Sequence, residues 1–106
     1  MANLYEVILS LSAQKDIIEI IKYYDEIKAG LSDEFLINFE ATLEFLNTHP
    51  YIYKKVYHDF HQAFMNTFQY AIFYKIMETK KLVEVIGVFH TSRDSDIWED
   101  RFKLFE

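Results

Sequence analysis

A single proline, Pro50, splits this chain into halves with different hydrophobic periods. Proline disfavours helical geometry in the residue before it, so Thr48 and His49 are forced out of any helix, which should stop near Asn47. Upstream of Pro50 apolar side chains recur every three or four residues. Downstream they recur every two, in runs rich in β-branched and aromatic residues. That switch predicts helices first and a sheet second, in one α+β domain spanning residues 1–106.

The helical half is preceded by Leu4-Tyr5-Glu6-Val7-Ile8-Leu9, whose β-branched and aromatic content and brevity before Ser12 predict a strand. Ser12 is the expected N-cap of a first helix. Ile17, Ile20, Ile21, Tyr24 and Ile27 form its apolar stripe, and Lys15, Glu19, Lys22 and Glu26 face away. Gly30 is placed to end that helix. Ser32 is expected to cap a second one, with Asp33 and Glu34 at the positive end of its macrodipole and Phe35, Leu36, Phe39, Leu43 and Leu46 as its stripe. The linker Ala29-Gly30-Leu31 is short, so the two helices should form an antiparallel hairpin.

Beyond Pro50, Tyr70–Met77 and Leu82–Phe89 read as antiparallel strands joined by Glu78-Thr79-Lys80-Lys81, with His61–Met65 as a third strand before them. The tail from Asp94 to Phe105 carries Ile97, Trp98 and Phe102 at helical offsets, predicting a short helix capped by Ser95 and anchored by the only tryptophan. The architecture is thus two-layered: a strand, a helical hairpin, a three-stranded antiparallel sheet and a short C-terminal helix. The paired strands are apolar on both faces, with Tyr70, Ile72, Tyr74 and Ile76 on one and Ala71, Phe73 and Met77 on the other. A helical hairpin covers only one. Phe73, Met77 and Phe89 should therefore form an exposed interaction surface, unless the C-terminal segment folds back over them or a homodimer covers them.

A chain of 106 residues can remove roughly 60–70% of its unfolded surface from water, so a core without staples suffices. The absence of Cys excludes disulfides, thiolate metal sites and thiol chemistry, and agrees with a reducing cytoplasm. Met1 to Ser10 lacks a basic stretch followed by an apolar run, and no window approaches the roughly 18 apolar residues of a membrane helix. A soluble, cytoplasmic protein with no membrane association is the expectation. Residues 1–50 hold three Lys against nine Asp and Glu, whereas residues 51–106 balance eight Lys and Arg with eight Asp and Glu. The acidic excess reads as solvated helix faces. Only Arg93 and Arg101 supply guanidinium groups, which disfavours nucleic acid as a direct partner.

His58-Asp59-Phe60-His61 and His90 could be considered as metal ligands. Rings three residues apart on an extended segment do not converge on one point, so neither a metal nor another cofactor is expected. No glycine-rich phosphate loop, Walker sequence or His-Glu-x-x-His pattern is present. His90-Thr91-Ser92-Arg93 lies where the last strand leaves the sheet. Arg93 could clamp a phosphate and His90 act as general acid in RNA cleavage, with His58 or His61 as proton-transfer partners. Alternatively, Arg93 pins the tail by pairing with Asp96 or Asp100, and His90 packs on an aromatic neighbour.

The run Phe68-Gln69-Tyr70-Ala71-Ile72-Phe73-Tyr74-Lys75-Ile76, then Val83-x-Val85-Ile86-Gly87-Val88-Phe89-His90-x-x-Arg93-Asp94 and Trp98-x-x-Arg101, resembles the ParE branch of the RelE/ParE toxin superfamily. So does Asp16-Ile17-x-x-Ile20-x-x-Tyr23-Tyr24. The resemblance spans essentially the whole chain and implies the same fold. It also implies a toxin of a type II toxin–antitoxin pair, of the plasmid-stabilisation kind, held inactive by a small cognate antitoxin. RelE-like members cut messenger RNA on the ribosome, and ParE-like members are associated with inhibition of DNA gyrase. On this resemblance Phe73, Met77, Phe89, Arg93, Trp98 and Arg101 are the expected antitoxin or target contacts.

One stretch departs from the family pattern. His61, Gln62, Asn66 and Thr67 stand where relatives carry two basic pairs, and Gln69 replaces a proline. Ribosome-dependent cleavage needs cations to engage phosphates and stabilise developing charge. The departure therefore places gyrase inhibition ahead of a ribosome-dependent endoribonuclease, with a non-toxic binding module of the same fold as the third alternative.

Overall fold

In a computed structural model that describes residues 4–106, Ser10 rather than Ser12 caps the first helix. Met1 to Asn3, the start of the segment read as lacking a leader, lie outside the described residues. Ser10 is in extended backbone and its hydroxyl accepts the Ala13 N–H at 3.1 Å, so α1 runs from Leu11 to Ile27. The cap falls where the chain turns off the preceding strand, which leaves Ser12 inside the helix. Gly30 does not cap the end of α1, where Lys28 holds that place. It sits at the N-cap of α2 (Leu31–Thr48), with a φ of 87° that lets two helices reverse direction over so short a linker. Ser32 is in the first turn of α2 instead of capping it, and its buried hydroxyl donates to Asp25 of α1. The helix stops at Thr48, with His49 as C-cap.

Among the described residues the sheet has five strands, β1 (Glu6–Leu9), β2 (Lys55–Tyr57), β3 (Phe60–Phe64), β4 (Tyr70–Met77) and β5 (Leu82–His90), in the order β1-β5-β4-β3-β2. β1 runs parallel to β5 and the other neighbours are antiparallel. The sequence pattern missed β2. Three residues broken by a register shift are too short to display a period of two. A helix α3 (Ser95–Leu104) follows β5, with Asp94 rather than Ser95 at its N-cap. No helix among the described residues is long and apolar enough to cross a membrane.

The helical hairpin packs on one face of the sheet. Ile17, Ile20, Phe35, Phe39 and Leu46 meet Ile72, Tyr74, Val83, Val85 and Val88 there, while Lys15, Glu19, Lys22 and Glu26 point to water. Ile27, on the predicted stripe, is 55% exposed at the end of its helix. The buried Tyr74 hydroxyl donates to the Pro50 carbonyl at 2.6 Å, and burial raises the Tyr74 pKa. So the proline that ends α2 also ties it to the sheet.

The opposite face is covered as well. Trp98 and Phe102 of α3 lie over Phe60, Ala71, Phe73, Ile86 and Phe89. Phe73 is fully buried and Phe89 nearly so, so the expected exposed surface is closed over them by the C-terminal segment, while Met77, at the hairpin end of β4, is half-buried outside that cluster. The cause lies in α3 itself: Trp98, Phe102 and Phe105 fall on one side of it and need the same apolar cover that the sheet face needs.

Candidate functional site

The site is built around an irregularity in β5. Phe73 pairs with Gly87 and the next residue, Tyr74, pairs with Val85, so Ile86 is an extra residue in the ladder. β1 leaves the sheet at the same level. Leu9 is the last residue paired with β5, opposite Val85, and the Ser10 N–H donates to the Val85 carbonyl at 2.9 Å before the chain turns into α1. From Ile86 to His90 the outer edge of β5 therefore has no strand beside it.

Two charged side chains stand in that gap. Arg101 of α3 reaches Asp16 of α1 through two bonds, Nη1 to Oδ2 at 2.8 Å and Nη2 to Oδ1 at 3.1 Å. Arg101 Nη1 also donates to the Ile86 carbonyl at 2.9 Å, and Asp16 Oδ2 accepts the Val88 N–H at 3.0 Å. The guanidinium lies 4.8 Å from the centre of the Phe89 ring. Gly87 makes the arrangement fit: a Cβ there would come within 2.8 Å of the Phe89 ring and 3.1 Å of Arg101 Nη1.

Beyond this pair a cleft of about 520 Å³ opens between α1 and the end of β5, with Glu19 and Tyr23 on one wall and Tyr70, His90 and Arg93 on the other. His90 packs edge-on against Tyr70, with ring centres 5.1 Å apart, so its expected aromatic contact is present. Its Nδ1 accepts the Ser92 N–H at 3.1 Å and lies 2.7 Å from the Ser92 hydroxyl. Burial, with the neighbouring Tyr24, pushes the Tyr70 phenol up to about 12. Arg93 is exposed at the rim and forms no ion pair among the described residues. It therefore does not pin the tail through Asp96 or Asp100; that task falls to Arg101.

The structure does not bring the four candidate catalytic residues together. His61 is 4% exposed on the hairpin face, where its Nδ1 donates to the Tyr53 carbonyl at 2.7 Å and its ring stacks on Tyr74 at 5.0 Å. His58 occupies the tight turn between β2 and β3 at a φ of 47°, with Glu106 nearby. The register Phe60–Lys75–Glu84 puts that turn level with the start of β5, and His90 lies six residues further along, about 20 Å away at the usual rise of a strand. No group of three metal-ligating side chains exists among the described residues. Asp16 escaped notice as a site residue. The signal was present, because Asp16-Ile17 and Trp98-x-x-Arg101 both carry the family resemblance, but nothing in the sequence says that they touch.

This fold, a helical hairpin on one face of a five-stranded sheet with a short C-terminal helix on the other, is similar to that of solved RelE-type toxins. Similar solved structures include a free arginine-to-alanine double variant of the Escherichia coli toxin RelE, at a TM-score of 0.67 and 16% identity, covering 97% of this chain and 99% of that one. The toxin–antitoxin complex RelBE2 from Mycobacterium tuberculosis matches at 0.56 and 19% identity, covering 81% and 96%. The archaeal RelE–RelB complex from Pyrococcus horikoshii matches at 0.51 and 13%, covering 86% and 99%. A search of curated proteins found no sequence match. The family model described as the ParE toxin of the type II toxin–antitoxin system parDE matches residues 7–95, and the chain belongs to that family.

Proposed function

We propose that this toxin acts by binding a protein, with DNA gyrase as the target, and that a cognate antitoxin neutralises it in the cytoplasm as part of a plasmid-stabilisation pair. The observation that carries this reading is the scatter of the candidate catalytic groups. His61 is sealed in the core, His58 is at one end of the sheet and His90 with Arg93 at the other. Cleavage of RNA needs an acid, a base and cations within hydrogen-bond reach of one phosphate, and the segment that would supply the cations presents Gln62 on β3 and Asn66 and Thr67 in the bend after it instead.

Arg93 is the contact residue most accessible to a partner, whereas Trp98 is half-buried on α3 and Met77 is half-buried at the far end of the sheet, opposite Leu82. Phe73 and Phe89 support α3 from below, and Arg101 is committed to Asp16, so these three act through the shape of the surface. The antitoxin is supported by the relatives solved as toxin–antitoxin complexes. The endoribonuclease reading keeps one favourable observation, the shared cleft of His90 and Arg93.

A supercoiling assay and a translating extract, run side by side on the purified protein, separate the readings. Gyrase inhibition with intact message supports the proposal. Message cleavage that disappears in Arg93→Ala overturns it in favour of the ribonuclease, and inactivity in both assays leaves the non-toxic module.

A further inference from the structure

We infer that the Asp16–Arg101 pair acts as a side-chain substitute for a missing strand, and that it keeps the chain monomeric by closing a sheet edge that a second copy would otherwise join. A bare strand edge offers alternating N–H and C=O groups and is a template for pairing with another chain. Natural sheets blunt such edges. β2, at one side of this sheet, is only three residues long and carries Lys55, which is protection enough. β5 has no such device. It is nine residues long, and once β1 departs at Val85 its remaining edge has no strand beside it; Ile86 to Phe89 are buried there against α1 and the Asp16 and Arg101 side chains.

The hydrogen bonds decide the role of the pair. A strand pairing here would accept the Val88 N–H and donate to the Ile86 carbonyl. Asp16 does the first and Arg101 the second, at 3.0 and 2.9 Å. An ion pair that served only to tether α3 would not need to match the polarity of the edge group by group, nor to reach it through a glycine whose Cβ would crowd it. Strand alternation directs the Val88 carbonyl and the His90 N–H to the same side, so a freed edge would offer contiguous pairing groups from Ile86 to His90. The occupant is a second copy of this chain, because β5 antiparallel to its own twin across Val88 matches each donor with an acceptor.

The test separates hydrogen-bond polarity from charge. Asp16→Asn with Arg101→Gln removes both charges but keeps an acceptor at 16 and a donor at 101. Asp16→Arg with Arg101→Asp keeps an ion pair but inverts both. Sedimentation over a hundredfold range of concentration should show the wild type and the Asn/Gln protein as monomers and the charge-swapped protein as a growing dimer fraction. A monomeric, folded swap, or an Asn/Gln protein that associates equally, overturns the inference. If the swap does not fold, Asp16→Ala decides. Its Val88 amide should exchange about tenfold faster or more, and the protein should dimerise. Fast exchange in a protein that stays monomeric is the overturning result. These outcomes do not depend on whether gyrase is the target.

Discussion

The hairpin face of the sheet is covered by helices of 17 and 18 residues, and their cluster contains the larger share of the buried side chains. The other face is covered by a helix of 10 residues whose tryptophan Nε1 is buried without a hydrogen-bond partner among the described residues. On the first face apolar packing does nearly all the holding. On the second, packing is thinner and a guanidinium–carboxylate pair supplies the attachment. The contrast teaches that a small domain can hold one cover by area and the other by a few directed bonds, and that the second kind is the more easily altered by one substitution.

Four substitutions test that contrast. The largest loss should come from Phe35→Ala, which empties a fully buried position under the hairpin and should cost about 3–5 kcal/mol in chemical denaturation. Arg101→Met should follow at about 2–3 kcal/mol, because Asp16 is left without its cation and the Ile86 carbonyl without a donor. Its signature in hydrogen exchange should be confined to α3 and the end of β5. Equal loss of protection under the hairpin would erase the distinction between the two faces. Trp98→Ala should cost about 2 kcal/mol, less than a fully buried tryptophan, since the side chain is half-buried and the unpartnered N–H goes with it.

The smallest effect is a pH dependence at the β4–β5 connection. Hydrogen bonds from Lys81, Tyr51 and Tyr5 pull the Glu78 carboxyl down to about 2, and the same bond pushes the Tyr51 phenol up to about 12. A depressed carboxyl contributes its stability above the ordinary value of 4.5 and loses it as the pH falls toward 2. Thermal melts of Glu78→Gln should therefore fall off less steeply over that interval than those of the wild type. Parallel curves would mean that the cluster contributes nothing.

The same contrast explains what the sequence could reveal. The hairpin, β4, β5 and the apolar assignment of both sheet faces were readable because each rests on a repeat of three to four or of two residues. Ser12, Ser32 and Ser95 were each placed as caps slightly away from the true position, since any nearby hydroxyl looks equivalent until the turn of the chain is known. The closure of the Phe73 and Phe89 face is not legible, because ten polar-rich residues give no sign of which surface they will choose. The Asp16–Arg101 contact was illegible for a different reason. It joins residues 85 positions apart, and although Gly87 within the strand marks a bulge or a close approach there, nothing local names the two side chains that meet at it.

The parallel pairing of β1 with β5 matches Glu6 to Leu82. A chain synthesised from its N-terminus thus carries its first strand, and all the helical surface meant to lie on the sheet, without a central partner until its final quarter emerges. Closing so long a loop is slow compared with forming the helices. The strand that joins β1 to the rest of the sheet is thus the last one the ribosome delivers, so the apolar faces of the helical hairpin acquire their full cover later than the helices themselves can form.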